Sequence, residues 1–510
     1  MAKQFHHLAN VFSRNLRLLV DIIVGLILTR LIVRQLGLDV FGLIAFVLSI
    51  TALVDLLGNA ISDAAARYVT QCVARSDTDG AERYMINTLA AVGLLGISSI
   101  VLVSGALLVV PRMSEAIPFG YWLVILVSIC LASLGGVMST GNFVQERFVS
   151  RECINGGARI AYGLVGAVLL LFTSIGMWAV AVAIFVAAIV RVWGFWFSFH
   201  RLMPYIQLQL SSIRWHKIIE VGTFVGWMLL AYCGTYLIRS GSITMVKVLA
   251  PESLGRYALV ILVANMVLQV LTSLGLMTSP TTYRALARGN FRVATAQVER
   301  FLFLSAMGSI TITIMLLFES DGIMNLWLGN SAPQNITPLL VVATVAACFS
   351  SLNVPISVYL AGCSRVRDYG LATIVEGGII VVSIFGLLRW QSNYGIFWVA
   401  ALPGITSILK NCIVFPLWHN QIFIWAPVMV FVRKGVVLAS YSLITWLCWK
   451  VVKNEVNNAG VLGLALRMWV LCLPMASYAA YRQLMSWRRT SQALPNAIES
   501  VGSAGRRNGF

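Results

Sequence analysis

LGLDVFGLIAFVLSITALVDLLGNAISDAAARY, Leu36 to Tyr68, is the stretch that decides the fold. From Phe41 to Ser62 it is predominantly apolar and long enough to cross a hydrocarbon core of ~30 Å as a helix. It nevertheless carries Thr51, Asp55, Asn59 and Asp63, followed by Arg67, each four residues after the last. At 3.6 residues per turn these side chains form one nearly continuous polar stripe. Lipid does not accept such a stripe, because a charge at the bilayer centre costs ~2.5–3.5 kcal/mol on insertion scales. Two readings stay open: the wall of a wet cavity, or interhelical hydrogen bonding with no transport role.

The same apolar rhythm runs through the chain. Of its 510 residues, 59% are hydrophobic and only 11% charged. A soluble protein of this length would carry about twice that charge. Candidate spans are Leu16–Leu36, Phe41–Ser62, Tyr84–Val110, Tyr121–Asn142, Gly156–Ser174, Trp178–Phe199, Ile219–Thr244, Tyr257–Pro280, Phe301–Phe318, Thr337–Ala361, Leu371–Leu388, Ile396–Leu417, Gly435–Trp449 and Val461–Tyr481. The expected class is an all-α integral membrane protein of about 12–14 transmembrane helices. Ile422–Val432 reads as an interfacial piece, and the Ser-, Gly-, Asn- and Arg-rich tail after Trp487 as disordered.

The formal net charge of +18 lies mostly in alternate loops. Arg67, Arg75, Arg83, Arg147, Arg151, Arg201, Arg214, Lys217, Arg284, Arg288, Arg292, Arg300, Arg365, Arg367, Arg433 and Lys434 fall on the side of the N-terminus, with five tail arginines. The opposite loops hold only Arg112, Lys247, Arg256, Arg389, Lys450 and Lys453. Retained basic loops place both termini in the cytoplasm of a multi-pass protein of the cytoplasmic (inner) membrane. This accounts for the charge without a nucleic-acid partner. The nine cysteines form no C-x-x-C pair and read as small buried hydrophobes. The N-terminal apolar stretch reads as a first membrane helix, too long and too polar for a cleavable signal.

A repeat is visible. Lys247 follows Arg34 by 213 positions, and the same offset relates Leu249 to Leu36, Glu252 to Asp39 and Gly255 to Gly42. An even number of helices separates the copies, so the halves share one orientation. Parallel repeats of this kind place a substrate site between the halves.

Other polar residues fall inside spans. Arg17 and Asp21 share a face of the first and are spaced to pair, with Arg30 and Arg34 nearly opposite. Arg34 reads as snorkelling, Arg30 as too deep for that. The seventh span carries Tyr232, Thr235, Tyr236 and Arg239, and the eighth Asn265, Gln269 and Ser273. Single charges fall at Arg159, Arg191, Glu376, Lys410 and Arg467; several are near inner span ends and read as snorkelling, while Glu376 is set one turn inside its span. The deep charges are mostly cationic, and guanidinium suits forked recognition of phosphate.

No G-x-x-x-x-G-K-[ST], H-E-x-x-H or G-x-S-x-G occurs, and the five histidines do not cluster. The expectation is therefore a non-enzyme, with no catalytic residues, no cofactor and no metal site. Asp77-Thr78-Asp79 before Gly80 reads as a solvated turn. Gly222 and Gly226 form a G-x-x-x-G suited to close helix packing.

Leu28-Thr29-Arg30-Leu31, Leu36-Gly37-Leu38-Asp39-Val40-Phe41-Gly42, Asp55 with Gly58, and Ala66-Arg67-Tyr68 resemble the opening of Wzx-type oligosaccharide flippases. These belong to the multidrug/oligosaccharidyl-lipid/polysaccharide (MOP) exporter superfamily. The motif match covers the first 70 residues or so, with its echo at Leu249–Gly255. The resemblance implies two six-helix lobes in a V around a central cavity. It implies a substrate too: a polyprenyl-diphosphate-linked oligosaccharide, moved by alternating access for O-antigen, exopolysaccharide or capsule synthesis. Glycan polymerase and chain-length proteins would be partners, beside the bilayer itself.

On this reading residues 1–200 form the first lobe, 201–218 a cytoplasmic linker, 219–417 the second lobe, 418–485 two additional helices and 486–510 the tail. Candidate cavity residues are Arg30, Arg239, Asp55, Asn59, Asn265 and Gln269. Asp21, Asp55 and Glu376 are candidates for ion coupling. The alternatives are a MATE-type multidrug or cation antiporter, which the arginines disfavour, and a membrane glycan polymerase or ligase, which the short outer loops disfavour.

Overall fold

The computed structural model describes residues 2–109, 117–206, 213, 215–276, 282, 285–286, 289–333, 336–363, 365–390, 395–415, 436–447 and 449–450. The expected span Val461–Tyr481, the piece Ile422–Val432 and the tail lie outside the described residues.

Described residues form helices and turns only. In chain order the helices are α1 (Ala2–Leu36), α2 (Leu38–Ala74), α3 (Thr78–Val109), α4 (Phe119–Met138), α5 (Phe148–Phe172), α6 (Trp178–Leu202), α7 (Trp215–Arg239), α8 (Leu254–Leu276), α9 (Phe291–Leu328), α10 (Thr337–Ser350), α11 (Val366–Trp390) and α12 (Gly395–Leu409). Ten described helices are long and apolar enough to cross a membrane. In the twelve-helix core, α1 and α7 reach spanning length with 35 and 25 residues. Short helices Gly241–Leu249 and Asn353–Gly362 extend α7 and α10.

The first repeated turn is a single residue. Gly37 sits at φ 87, in the left-handed region that costs glycine nothing, and α2 starts on the next residue. Its counterpart in the second half is longer, a 3₁₀ turn Pro251–Ser253 ahead of α8. The repeat therefore conserves the corner and varies how it is made.

Helices α1–α6 pack mainly on one another, and α7–α12 do likewise. At the end carrying the two turns, a single apolar core crosses between the halves, joining Leu28, Phe46 and Trp122 to Tyr257, Leu340 and Ile384. At the opposite, basic end the core is split. Ala64, Met85 and Phe199 belong to one cluster, Val298, Tyr359 and Phe415 to another. Halves fused at one end and joined chiefly through α7 at the other make the V and leave room between them. Near the basic end α7 leans back on the first half through Val225, and Tyr232 donates a hydrogen bond to Asp63 Oδ2 at 2.9 Å.

Gly226 takes no part in close packing, since a Cβ there would meet nothing within 4 Å. Tight contacts include Gly234 and Gly377, where α7 touches α11, and Gly42 against Gly255, where the repeated turns meet.

A thirteenth helix, α13 (Val436–Leu447), docks on α9. Tyr441 Oη lies 2.6 Å from Thr311 Oγ1. Just beyond, Trp449 stacks on Phe318 at 4.1 Å and donates Nε1–H to the buried Glu319 at 2.9 Å. Trp449→Phe keeps the stack and removes a donor from a buried carboxylate. It is expected to cost about 1–3 kcal/mol and lower the thermal midpoint of the purified protein by a few degrees.

Candidate functional site

The middle of the α2 stripe, Asp55 and Asn59, faces a cavity, while Thr51 is buried against its own helix and Asp63 accepts from Tyr232. A space of about 540 Å³ opens within the first half, walled by α1, α2, α4, α5 and α6. Asp55 and Asn59 come from α2, Arg17 and Asp21 from α1, Arg151, Asn155, Arg159 and Tyr162 from α5, and Arg191 from α6. The acids do not match the arginines. Arg17 bonds Asp21 at 3.2 Å and Glu152 at 3.1 Å, and Arg159 sits 3.7 Å from Asp21 and 4.8 Å over the Tyr162 ring. Asp55 accepts from Asn59 at 3.2 Å and faces Arg191 without closing an ion pair. Among the described residues neither Arg151 nor Arg191 has a carboxylate within ion-pair distance, and Arg191 Nε is buried with no hydrogen-bond partner.

A second space, about 280 Å³, lies between the halves and is bordered by Thr29, Ser49, Ser240 and Asn265. It shares Leu48, Arg159 and Tyr162 with the first cavity. It shares Ile261 and Asn265 with a third of about 70 Å³ inside the second half. That third space holds Arg239, Asn353, Tyr369 and Thr373, and no acid lines it. Arg239 is exposed into it and has no carboxylate partner among the described residues. The three spaces stand in a row, with unpaired guanidinium groups at both ends.

The expected residues divide. Asp21, Asp55 and Asn59 stand on the first cavity, and Arg239 and Asn265 on the third, so the structure brings five of them to a row of adjoining spaces. Arg30 is not among the residues lining these cavities. It is exposed on a stripe of α1 with Ile23 (45% exposed) and Ile27 (54%), on the side away from buried Leu28 and Ile32. Six residues before the helix end, or ~10 Å, its stem can snorkel as Arg34 does. Gln269 is exposed and likewise off the walls. Glu376 is ten residues into α11 rather than one turn, buried, and paired with Lys410.

Arg151, Arg159 and Arg191 were read as loop or snorkelling residues; the structure turns all three inward. A signal existed for two of them. Arg151, Asn155 and Arg159 are spaced by four along α5, the same pattern that marked α2. Arg191 has apolar residues four positions away on either side, Ala187 and Phe195, and only its neighbours in space reveal which way it faces.

The cavity between the halves is closed at the turn end by glycine. A Cβ on Gly255 would lie 2.4 Å from the Leu38 carbonyl oxygen, and one on Gly42 would lie 2.9 Å from Gly255 N. Both are backbone atoms, so the neighbour cannot rotate away. Gly255→Val is expected to hold this end ajar. A cysteine at Thr29, in an otherwise cysteine-free chain, should then react at least ~10-fold faster with a membrane-impermeant thiol reagent added on that side.

No family model matches the chain. It is 20% identical over 421 residues to the uncharacterized membrane protein EpsK of Bacillus subtilis (strain 168), covering 81% of this chain and 83% of that protein. Among solved structures it superposes on the lipid II flippase MurJ in an inward closed conformation. The TM-score is 0.61 and the identity 14%, over 94% of this chain and 99% of that one. An inward-facing multidrug-resistance MATE transporter of the MOP superfamily gives the same TM-score and identity, over 78% and 93%. The chain has the fold of these transporters.

Proposed function

We propose that the protein is a flippase that carries a polyprenyl-diphosphate-linked oligosaccharide across the cytoplasmic membrane by alternating access. One observation carries this reading: Arg191 and Arg239, in opposite halves, have no ion-paired carboxylate among the described residues and lie on the walls of a row of adjoining cavities. An unpaired charge at membrane depth is expensive and is retained where a ligand completes it. A diphosphate is the ligand that forked guanidinium groups complete best. Asp55, Asn59, Asn155 and Asn265 along the path suit sugar hydroxyls.

In the conformation described, the large space is in the first half, where the diphosphate and its first sugars are received from the basic, cytoplasmic end. The small third space grows when the turn end parts and the basic end closes. The lipid tail stays in the bilayer throughout. The fold shared with MurJ and MATE transporters supports transport, and the wall arginines favour an anion over the cations of a multidrug antiporter.

The test uses the full chain reconstituted in vesicles. A fluorescent polyprenyl-diphosphate oligosaccharide should cross at least ~10-fold faster than in protein-free vesicles. A neutral glycolipid of the same sugar should gain nothing. Equal movement of both lipids, or proton- or sodium-driven extrusion of organic cations, would overturn the reading.

A further inference from the structure

We infer that Lys410 is a tethered counter-cation. Its ammonium group fills, within the chain, the place beside Glu376 that a free monovalent cation would otherwise have to occupy. The second half then carries this cation permanently and does not exchange it. The inference is independent of which substrate crosses the membrane.

Glu376 and Lys410 are both 4% exposed, and their side chains pair directly between α11 and α12. A buried carboxylate in apolar surroundings cannot remain charged alone. What surrounds it is a set of oxygens. Glu376 Oε1 accepts from Thr406 at 3.1 Å and from Ser407 at 3.0 Å. Asn353 donates to Ser407 Oγ at 3.2 Å, and Asn411 donates to Asn353 Oδ1 at 2.9 Å. Asn411 Oδ1 is buried with no hydrogen-bond partner. A carboxylate with two hydroxyls beside it offers oxygen donors of the kind that hard cations take.

The lysine is held there from several sides. It opens a π turn, Lys410–Val414, that continues α12. Its Nζ lies 5.4 Å from the Tyr369 ring centroid and 6.0 Å from that of Phe415, so two aromatic faces add to the carboxylate. Single π turns of this kind occur often at functional sites. The site is also adjacent to the transport path, since Asn353 and Tyr369 both line the third cavity with Arg239. A positive charge is therefore built in behind the second guanidinium, whatever ions the two compartments contain.

The experiment follows thermal unfolding of the purified full-length protein, with sodium, potassium or methylammonium exchanged for N-methylglucamine at constant ionic strength. Wild type should unfold at one midpoint in all four. Lys410→Ala should unfold earlier in N-methylglucamine and recover by several degrees as sodium or methylammonium rises, with saturation. Lys410→Ala combined with Glu376→Gln should show no response. Saturable stabilisation of wild type by sodium or potassium, abolished by Glu376→Gln, would overturn the inference. So would a folded Lys410→Ala that responds to small cations no more than wild type. If Lys410→Ala cannot be purified, the wild-type titration still decides, with the near-isosteric neutral pair Lys410→Met/Glu376→Gln as the unresponsive control.

Discussion

Arg191→Ala combined with Arg239→Ala is expected to abolish transport of a diphosphate-linked glycolipid while leaving the amount of protein in the membrane unchanged. Each guanidinium would make charge-assisted hydrogen bonds to phosphate, worth about 1.5–3 kcal/mol apiece. That is roughly 10- to 100-fold in rate for each single substitution. The two residues lie in different halves and share no partner, so their effects should multiply. Stability should move little, because neither change breaks an ion pair closed among the described residues. Lysine at either position keeps the charge and loses the fork, and should fall between wild type and alanine. Asp55→Asn leaves Arg191 freer and should cost less than Arg191→Ala. The measurement is flipping rate in vesicles beside membrane abundance. Near-normal flipping by the double variant would remove these residues from the mechanism.

Gly234→Leu is expected to leave little folded protein. A Cβ at this position would lie 2.5 Å from both the carbonyl carbon and oxygen of Thr373 and 2.6 Å from Ile374 N. These are backbone atoms of α11, inside an uninterrupted helix, and they cannot yield without moving the helix. From the other side, a Cβ on Gly377 would lie 2.8 Å from Leu237 Cβ and 3.0 Å from Gly234 O. The α7–α11 seam is thus closed by two interlocking glycines. Overpacking of an ordinary core site costs about 1–3 kcal/mol, and a clash with rigid backbone exceeds that range. Gly226→Leu is the control, because its Cβ would meet nothing within 4 Å. The expected outcome is loss of monodisperse protein for Gly234→Leu and near-normal yield for Gly226→Leu, read by size-exclusion chromatography from detergent extracts.

The contrast between these glycines shows how the sequence must be read. Gly226 stands at the right spacing from Gly222 for a helix contact, yet a Cβ on it would meet nothing, while Gly234 and Gly377, 143 positions apart, interlock. The repeat is a case where sequence reached further. Gly42 and Gly255, matched by their common offset, stand against each other between the halves. Equivalent residues of a two-fold repeat meet near its axis, so position in the repeat carried spatial information that spacing alone did not.

By itself the sequence determined the helical class, the order of the core spans and the polar face of α2. Those follow from hydrocarbon thickness and the 3.6-residue turn, which act on each segment separately. Only the tertiary structure decided which charged face meets a cavity and which meets lipid. Arg30 and Arg191 are both arginines set well inside apolar helices. One shares an exposed stripe with Ile23 and Ile27, and the other is turned toward Asp55. Glu376 likewise found its counter-charge 34 residues away, on another helix. A helix's periodicity defines its faces, but what each face touches depends on where neighbouring helices pack, and that is a property of the whole bundle.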